Sequence, residues 1–188
     1  MGSEDPALAP VALIEELFAG PLADLDLGEP VAAGVHMRQC ARLAEAAAAP
    51  PCLVIAALLH DVAYLVVGDF MERYEAEHAF FGATWIGRWF PSSVSEPVRL
   101  HVEAKRFLVG TDPSYASSLS LESARTLELQ GGAMTSEEAR GFWATEHAAA
   151  AVALRRFDDR AKRPGAPAPP AWHYRDLLRE LLEHHEGS

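Results

Sequence analysis

The apolar positions of this chain fall in alanine- and leucine-rich blocks, and the β-branched alternation of a half-buried strand is scarce. The pattern predicts an all-α protein. A first helix is expected from about Val11 to Ala19, stopping near Gly20-Pro21. After the loop "PLADLDLGEP" a second helix starts beyond Pro30, which suits a first helical turn, and runs to about Ala49. Pro50-Pro51 break it and open a third helix, which carries His60-Asp61. A loop near Gly68-Asp69 leads to a helix from about Tyr74 to Phe90, halted by Pro91, and another spans about Val94 to Val109. "TDPSYASSLS" reads as a loop or short turn. A helix from about Ser120 to Gln130 should stop at Gly131-Gly132. Thr135 and Glu138 have capping-box spacing and open a stretch that reaches about Lys162, with a break near Ala144-Thr145. "RPGAPAPPA" (163–171) is a proline-rich connector to a terminal amphipathic helix over about Tyr174 to His184. No internal repeat is evident. The 188 residues suit one domain, a helical bundle with a flexible start of roughly ten residues.

Within this pattern "AALLHDVAY", Ala56 to Tyr64, begins as pure core and then sets an imidazole beside a carboxylate. Buried charges are normally paired or bound to a metal. Four histidines and two aspartates can be grouped: His36, His60, Asp61, His78, His101 and Asp158. Apart from the adjacent pair, each falls on a different predicted helix. Helices packed around one core can aim such residues at a single point. Neighbours on a helix diverge by about 100°. His60 and Asp61 can therefore serve one metal only at a distorted turn, or Asp61 can bridge two. A lone histidine on an apolar face is most often a satisfied core residue. That bland reading is taken for His147, His173, His184 and His185, which have no acidic partner at useful spacing.

Charge and cysteine content narrow the classes. A net charge of −11 argues against a nucleic-acid or anionic-membrane surface, while leaving room for a local basic pocket. Cys40 and Cys52 form no CxxC pair, so a reduced, cytoplasmic protein is expected. The start lacks a signal-peptide core, and the longest apolar run is too short to span a bilayer. Only Lys105 and Lys162 are lysines among 16 basic residues, which draws attention to Lys105. His101 and Lys105 share a helix face at i,i+4, which is either a candidate metal ligand beside a cation or a surface lysine on an amphipathic helix. Ser123, Thr126 and Gln130 form one polar stripe, either a solvated face or a set of donors for an anion's oxygens.

An upstream His, the HD pair and a downstream Asp resemble the metal signature of the HD superfamily. With Glu29, His101 to Lys105 and the segment from Leu119 to Ala139, the chain resembles one narrow branch of it. That branch is the PhnZ/TmpB type of mixed-valent di-iron oxygenase, which cleaves carbon–phosphorus bonds and is similar to myo-inositol oxygenase. The resemblance runs from about Ala23 to Lys162. It is most specific through Thr126-Leu127, Gln130-Gly131-Gly132, Met134-Thr135 and Glu137-Glu138. It implies a single HD domain holding two Fe ions, Fe(II)/Fe(III). His36, His60 and Asp158 would hold one iron, His78 and His101 the other, and Asp61 would bridge, with His60 and Asp61 as the catalytic pair. Lys105, Ser123, Thr126 and Gln130 would take the phosphonate, and Glu29 the substrate's ammonium group. O2 would split a 1-hydroxyphosphonate into phosphate and a carboxylic acid. A 2-oxoglutarate-dependent hydroxylase is the implied pathway partner; no nucleic acid or membrane is.

Two positions depart from the family. Asp26 stands where it has a tyrosine, and Tyr64 where HDxxH has its last histidine. Both are expected near the substrate. A second carboxylate beside Glu29 would favour a cationic distal group, N-methylated or longer. The competing reading is a metal-dependent phosphohydrolase acting on a nucleotide or other phosphoester, with the same ligands and a metal-bound hydroxide as nucleophile.

Overall fold

The computed structural model describes residues 8–68 and 77–186. Among them every regular element is helical, which bears out the all-α expectation. Helix α1 (Leu8–Ala19) leads through a 3-10 turn (Pro21–Asp24) to α2 (Ala33–Ala46). A Cβ on Gly34 would lie 2.9 Å from the Ala23 Cβ, so the glycine lets that turn sit on α2. The Ala33 N–H donates to the Leu25 carbonyl at 3.0 Å and closes the base of the loop carrying Asp26 and Glu29. Helix α2 ends three residues before the expected point. Ala48 takes φ 51°, outside the right-handed helical region, and Ala49, immediately before Pro50, is disfavoured in a helix.

Helix α3 (Pro51–Leu59) is the central rod: every residue from Leu53 to Leu59 is buried. A helix apolar all round belongs in a core. It packs against α2, against α6 (Ser92–Arg99), α10 (Ala148–Arg160) and α11 (Arg175–Glu186). Helix α4 (Val62–Val67) follows after a break at His60-Asp61. Helix α5 (His78–Ile86) comes next; the expected start at Tyr74 lies outside the described residues.

The single helix expected over Val94–Val109 is two. α6 ends at Arg99 and α7 (His101–Thr111) begins after Leu100, which has φ −93° and ψ −1°. The reason is local. The His101 Nδ1–H donates to the Val98 carbonyl at 2.7 Å, the acceptor that the next residue's N–H would use in a continuous helix. His60 does the same at the other break, donating from Nδ1 to the Ala57 carbonyl at 3.0 Å.

Helix α8 (Leu121–Leu129) is capped by Ser120, whose hydroxyl accepts from the Ser123 N–H at 3.1 Å. It stops at Gly131 (φ 98°) and Gly132 (φ 72°), as expected. The capping box forms at Thr135 and Glu138 and starts α9 (Ser136–Trp143). The break before α10 falls at residues 144–147. The connector then runs back over α2. The Gln39 side-chain amide donates to the Arg163 carbonyl at 2.7 Å and accepts from the Arg163 N–H at 3.2 Å. A 3-10 turn (Ala171–Tyr174) precedes α11, which buries Leu178 and Leu182 and ties back to α1 through Arg175 and Glu15.

Candidate metal centre and anion pocket

Five helical segments deliver the six expected ligands to one place. His36 comes from α2, His60 and Asp61 from the break between α3 and α4, His78 from the first residue of α5, His101 from the first of α7 and Asp158 from α10. They form two groups, His36/His60/Asp158 and Asp61/His78/His101, each able to hold a metal ion. The break at His60-Asp61 is the distorted turn that lets adjacent residues converge. Asp61 has φ −108° and ψ 21°, off the helical path.

Asp61 faces both groups, with a different oxygen toward each. Its Oδ2 lies 3.3 Å from His60 Nε2 and 3.8 Å from His36 Nε2. Its Oδ1 lies 3.5 Å from His78 Nε2 and 3.8 Å from His101 Nε2. Asp158 Oδ1 sits 3.0 Å from His36 Nε2 and 3.8 Å from His60 Nε2.

The imidazole chemistry tests whether metal fits here. His36 and His60 approach Nε2 to Nε2 at 3.1 Å, and so do His78 and His101. Three of these rings commit their Nδ1–H to a backbone carbonyl: His36 to Ala161 at 2.9 Å, His60 to Ala57 and His101 to Val98. A carbonyl only accepts, so each of these nitrogens carries the proton. In the neutral rings that leaves Nε2 as a lone pair aimed inward, so His36 and His60 face each other lone pair to lone pair. A cation between them resolves that contact. Backbone carbonyls fixing the far nitrogen are the usual support for metal-binding imidazoles.

A proton on one ring would relieve the contact too, and the electrostatics favour one on His60 when no cation is bound. Burial works against charge on His60, but the carboxylates of Asp61 and Asp158 outweigh it and raise its pKa to about 9. His101 has burial and the neighbouring His78 against it and is held down to about 3. Asp158 resists its own burial because Arg155 and Lys162 hold it well below the usual carboxylate range. The one buried thiol nearby, Cys40, is pushed up by burial and then by Asp158 and Asp61, so it stays protonated. The donor set is nitrogen and oxygen without thiolate, which suits iron and its first-row neighbours.

A cavity of about 440 Å³ opens above the cluster, bordered by His36, Asp61, His78, His101 and Asp158. Every residue the sequence nominated for substrate lines it: Asp26, Glu29, Tyr64, Lys105, Ser123, Thr126 and Gln130. Lys105 is buried at 2% exposure, and its Nζ donates to Thr126 Oγ1 at 2.8 Å and to the Ser123 carbonyl at 3.2 Å. Gln130 presents a buried amide oxygen with no hydrogen-bond partner. Asp26 accepts from the Gly28 N–H at 2.9 Å and is otherwise exposed on its loop.

Arg155 and Lys162 are among the cavity residues the sequence reading did not nominate. Arg155 is buried between Asp158 Oδ2, at 2.7 Å, and Ser123 Oγ, to which it donates at 3.1 Å. Lys162 donates to Glu29 Oε1 at 2.6 Å and to Ser123 Oγ at 3.0 Å. Glu29 also accepts from the Ser120 hydroxyl at 2.7 Å. The signals were present: Arg155 and Lys162 flank Asp158 at i−3 and i+4, and Lys162 is the second of only two lysines. Of the histidines set aside, His173 pairs with Glu45 at 3.0 Å on the surface, a partner remote in sequence. The side chains of His184 and His185 lie outside the described residues.

Fold and site together define the class: a helical protein whose HD break brings together two His/Asp groups, each able to hold a metal ion. The HD domain family matches residues 34–140, a span that stops short of Asp158. The chain is 35% identical to [1-hydroxy-2-(trimethylamino)ethyl]phosphonate dioxygenase (glycine-betaine-forming) of Leisingera caerulea, over 86% of this chain and 85% of that protein. It is 36% identical to hydroxymethylphosphonate dioxygenase of Gimesia maris, over 79% and 77%. The chain belongs to the HD-domain family and, within it, to the oxygenases of the PhnZ type.

Proposed function

We propose that this protein is an O2-dependent di-iron oxygenase that cleaves the carbon–phosphorus bond of a 1-hydroxyphosphonate, giving phosphate and a carboxylic acid. The observation that carries the reading is Asp61: one carboxylate faces two imidazole pairs with its two oxygens, directly beneath a cavity with a cationic wall. His36, His60 and Asp158 would hold one iron, His78 and His101 the other, with Asp61 between. Bound there, an Fe(II)/Fe(III) pair supplies the activation of O2 and of the substrate's C–H bond. The reaction balances without another reductant: R–CH(OH)–PO3H2 and O2 give R–COOH and H3PO4.

The protein's own residues bind and orient. Lys105 sits one turn from His101, so its ammonium places the phosphonate against the second metal position. Thr126 and Ser123 hold Lys105 in place, and Gln130 offers its side-chain N–H to a phosphonate oxygen. Arg155 joins the anion wall to Asp158, which fixes the phosphonate relative to the first metal position. Tyr64, over the His78 ring with centroids 5.4 Å apart, lines the cavity beside the second metal position. The family resemblance implies a 2-oxoglutarate-dependent hydroxylase acting on the unhydroxylated phosphonate as the upstream step.

The test is aerobic reaction of the iron-loaded protein with 1-hydroxyphosphonates, following O2 and phosphate together. One O2 consumed per phosphate released, with no phosphate under argon, is expected. Phosphate release independent of O2 would be hydrolysis of the C–P bond and end this reading.

A further inference from the structure

The two related dioxygenases act on hydroxyphosphonates that differ in the group carried beyond the reacting carbon. One bears a trimethylammonium; the other bears nothing. Identities of 35% and 36% do not choose between them. The cavity does, through Lys162. Glu29 is the carboxylate placed to meet a distal cation, yet its Oε1 already receives Lys162 Nζ at 2.6 Å and the Ser120 hydroxyl at 2.7 Å. The pair is largely shielded, with side-chain exposures of 12% for Lys162 and 9% for Glu29. A shielded pair is screened far less than a surface one, and breaking it leaves a charge poorly solvated. A substrate ammonium would meet a carboxylate whose charge Lys162 already neutralises. Asp26 is a weak substitute, since an ion pair at an exposed position contributes little.

Lys162 is also held from its other side. Ser123 Oγ accepts from it at 3.0 Å, and Asp158 Oδ1 lies 3.8 Å away. The connector just after it is pinned by Gln39, so the ammonium is not on a loose tail. A positive charge fixed at this end of the cavity repels a second one.

We propose that Lys162 is a specificity-determining residue: by neutralising Glu29 it makes the cavity select 1-hydroxyphosphonates whose distal group is neutral or absent over those with a cationic distal group. This reverses the preference expected from Asp26 and Glu29 by sequence, and it rests on the cavity being a hydroxyphosphonate site.

The experiment compares hydroxymethylphosphonate with [1-hydroxy-2-(trimethylamino)ethyl]phosphonate on the iron-loaded protein. It reads kcat/KM in air and binding by calorimetry under argon. The native protein should favour hydroxymethylphosphonate in both. Lys162→Met should shift the ratio toward the trimethylamino compound by tenfold or more, and Lys162→Arg should keep the native preference. Glu29→Gln/Lys162→Met should lose the shift, because it acts through Glu29. A native preference for the cationic compound overturns the inference, even if no variant folds. So does an unchanged ratio in well-folded Lys162→Met, or weaker binding of the cationic compound there. Failure of the native protein to turn over either substrate defeats the oxygenase reading itself, and the inference with it.

Discussion

Asp61 and Lys105 have opposite jobs in one cavity, and substitution separates them. Asp61 serves both ligand groups, so Asp61→Ala should strip both metals. Elemental analysis checks it, and retention of one tightly held ion would break the bridging role. Lys105 is no ligand. Lys105→Ala should leave the metal content intact while weakening use of limiting substrate by about 1.5–3 kcal/mol, the range for hydrogen bonds to charged groups. Unchanged turnover would remove Lys105 from the anion wall. The sequence exposed these two residues for physical reasons: a charge pair following "AALL" needs compensation, and a rare lysine one turn from a histidine is not surface filler. It left Lys162 unread because its partner, Glu29, is 133 positions away along the chain. Ion pairs of that separation exist only once the loop after α1 and the end of α10 are brought together.

The elements work as delivery arms, and their interruptions matter as much as their lengths. A histidine that donates its ring N–H to the carbonyl three residues back both breaks the helix and aims its own Nε2 inward. This happens at His60 and at His101. Helical periodicity alone cannot see it, because the competing acceptor is claimed by a side chain. α7 depends on a second close contact. Gly110 lies against the loop before α9, and a Cβ there would come 2.3 Å from the Met134 carbonyl oxygen. Gly110→Ala should push α7 off that loop. We expect a loss of about 1–3 kcal/mol in urea unfolding, as for other overpacked sites, with a raised KM because Lys105 rides on the same helix. A stability change with no effect on KM would separate the helix's packing from the anion wall.

For the whole molecule, the candidate ligands come from α2, the α3–α4 break, α5, α7 and α10, so metal binding would tie together segments spread over most of the chain. Chelation should lower the melting temperature, and Fe(II) in excess should restore it. Ligand at a hundred times its dissociation constant stabilises by about 2.7 kcal/mol. A melting curve indifferent to iron would mean that the cluster folds without needing a cation. Acid should destabilise the stripped protein as well. Glu15, Glu96 and Glu138 are held below the usual 4.5, respectively by hydrogen bonds from Arg175, from Arg99 and from the Thr135 backbone. Depressed carboxylates give stability that is present above the unfolded pKa and lost as pH falls through the folded value. The melting temperature of the stripped protein should therefore decline below about pH 4.5. By itself the sequence determined the helical class, the stops at Gly131-Gly132 and the Thr135 cap, because those are set by neighbours a few residues apart. It also named the ligand types, through the improbability of burying them bare. Which oxygen of Asp61 faces which imidazole pair, where α6 gives way to α7, and the neutralisation of Glu29 by Lys162 were decided only by tertiary structure. Each depends on atoms that packing, and not the local chain, brings within hydrogen-bonding range.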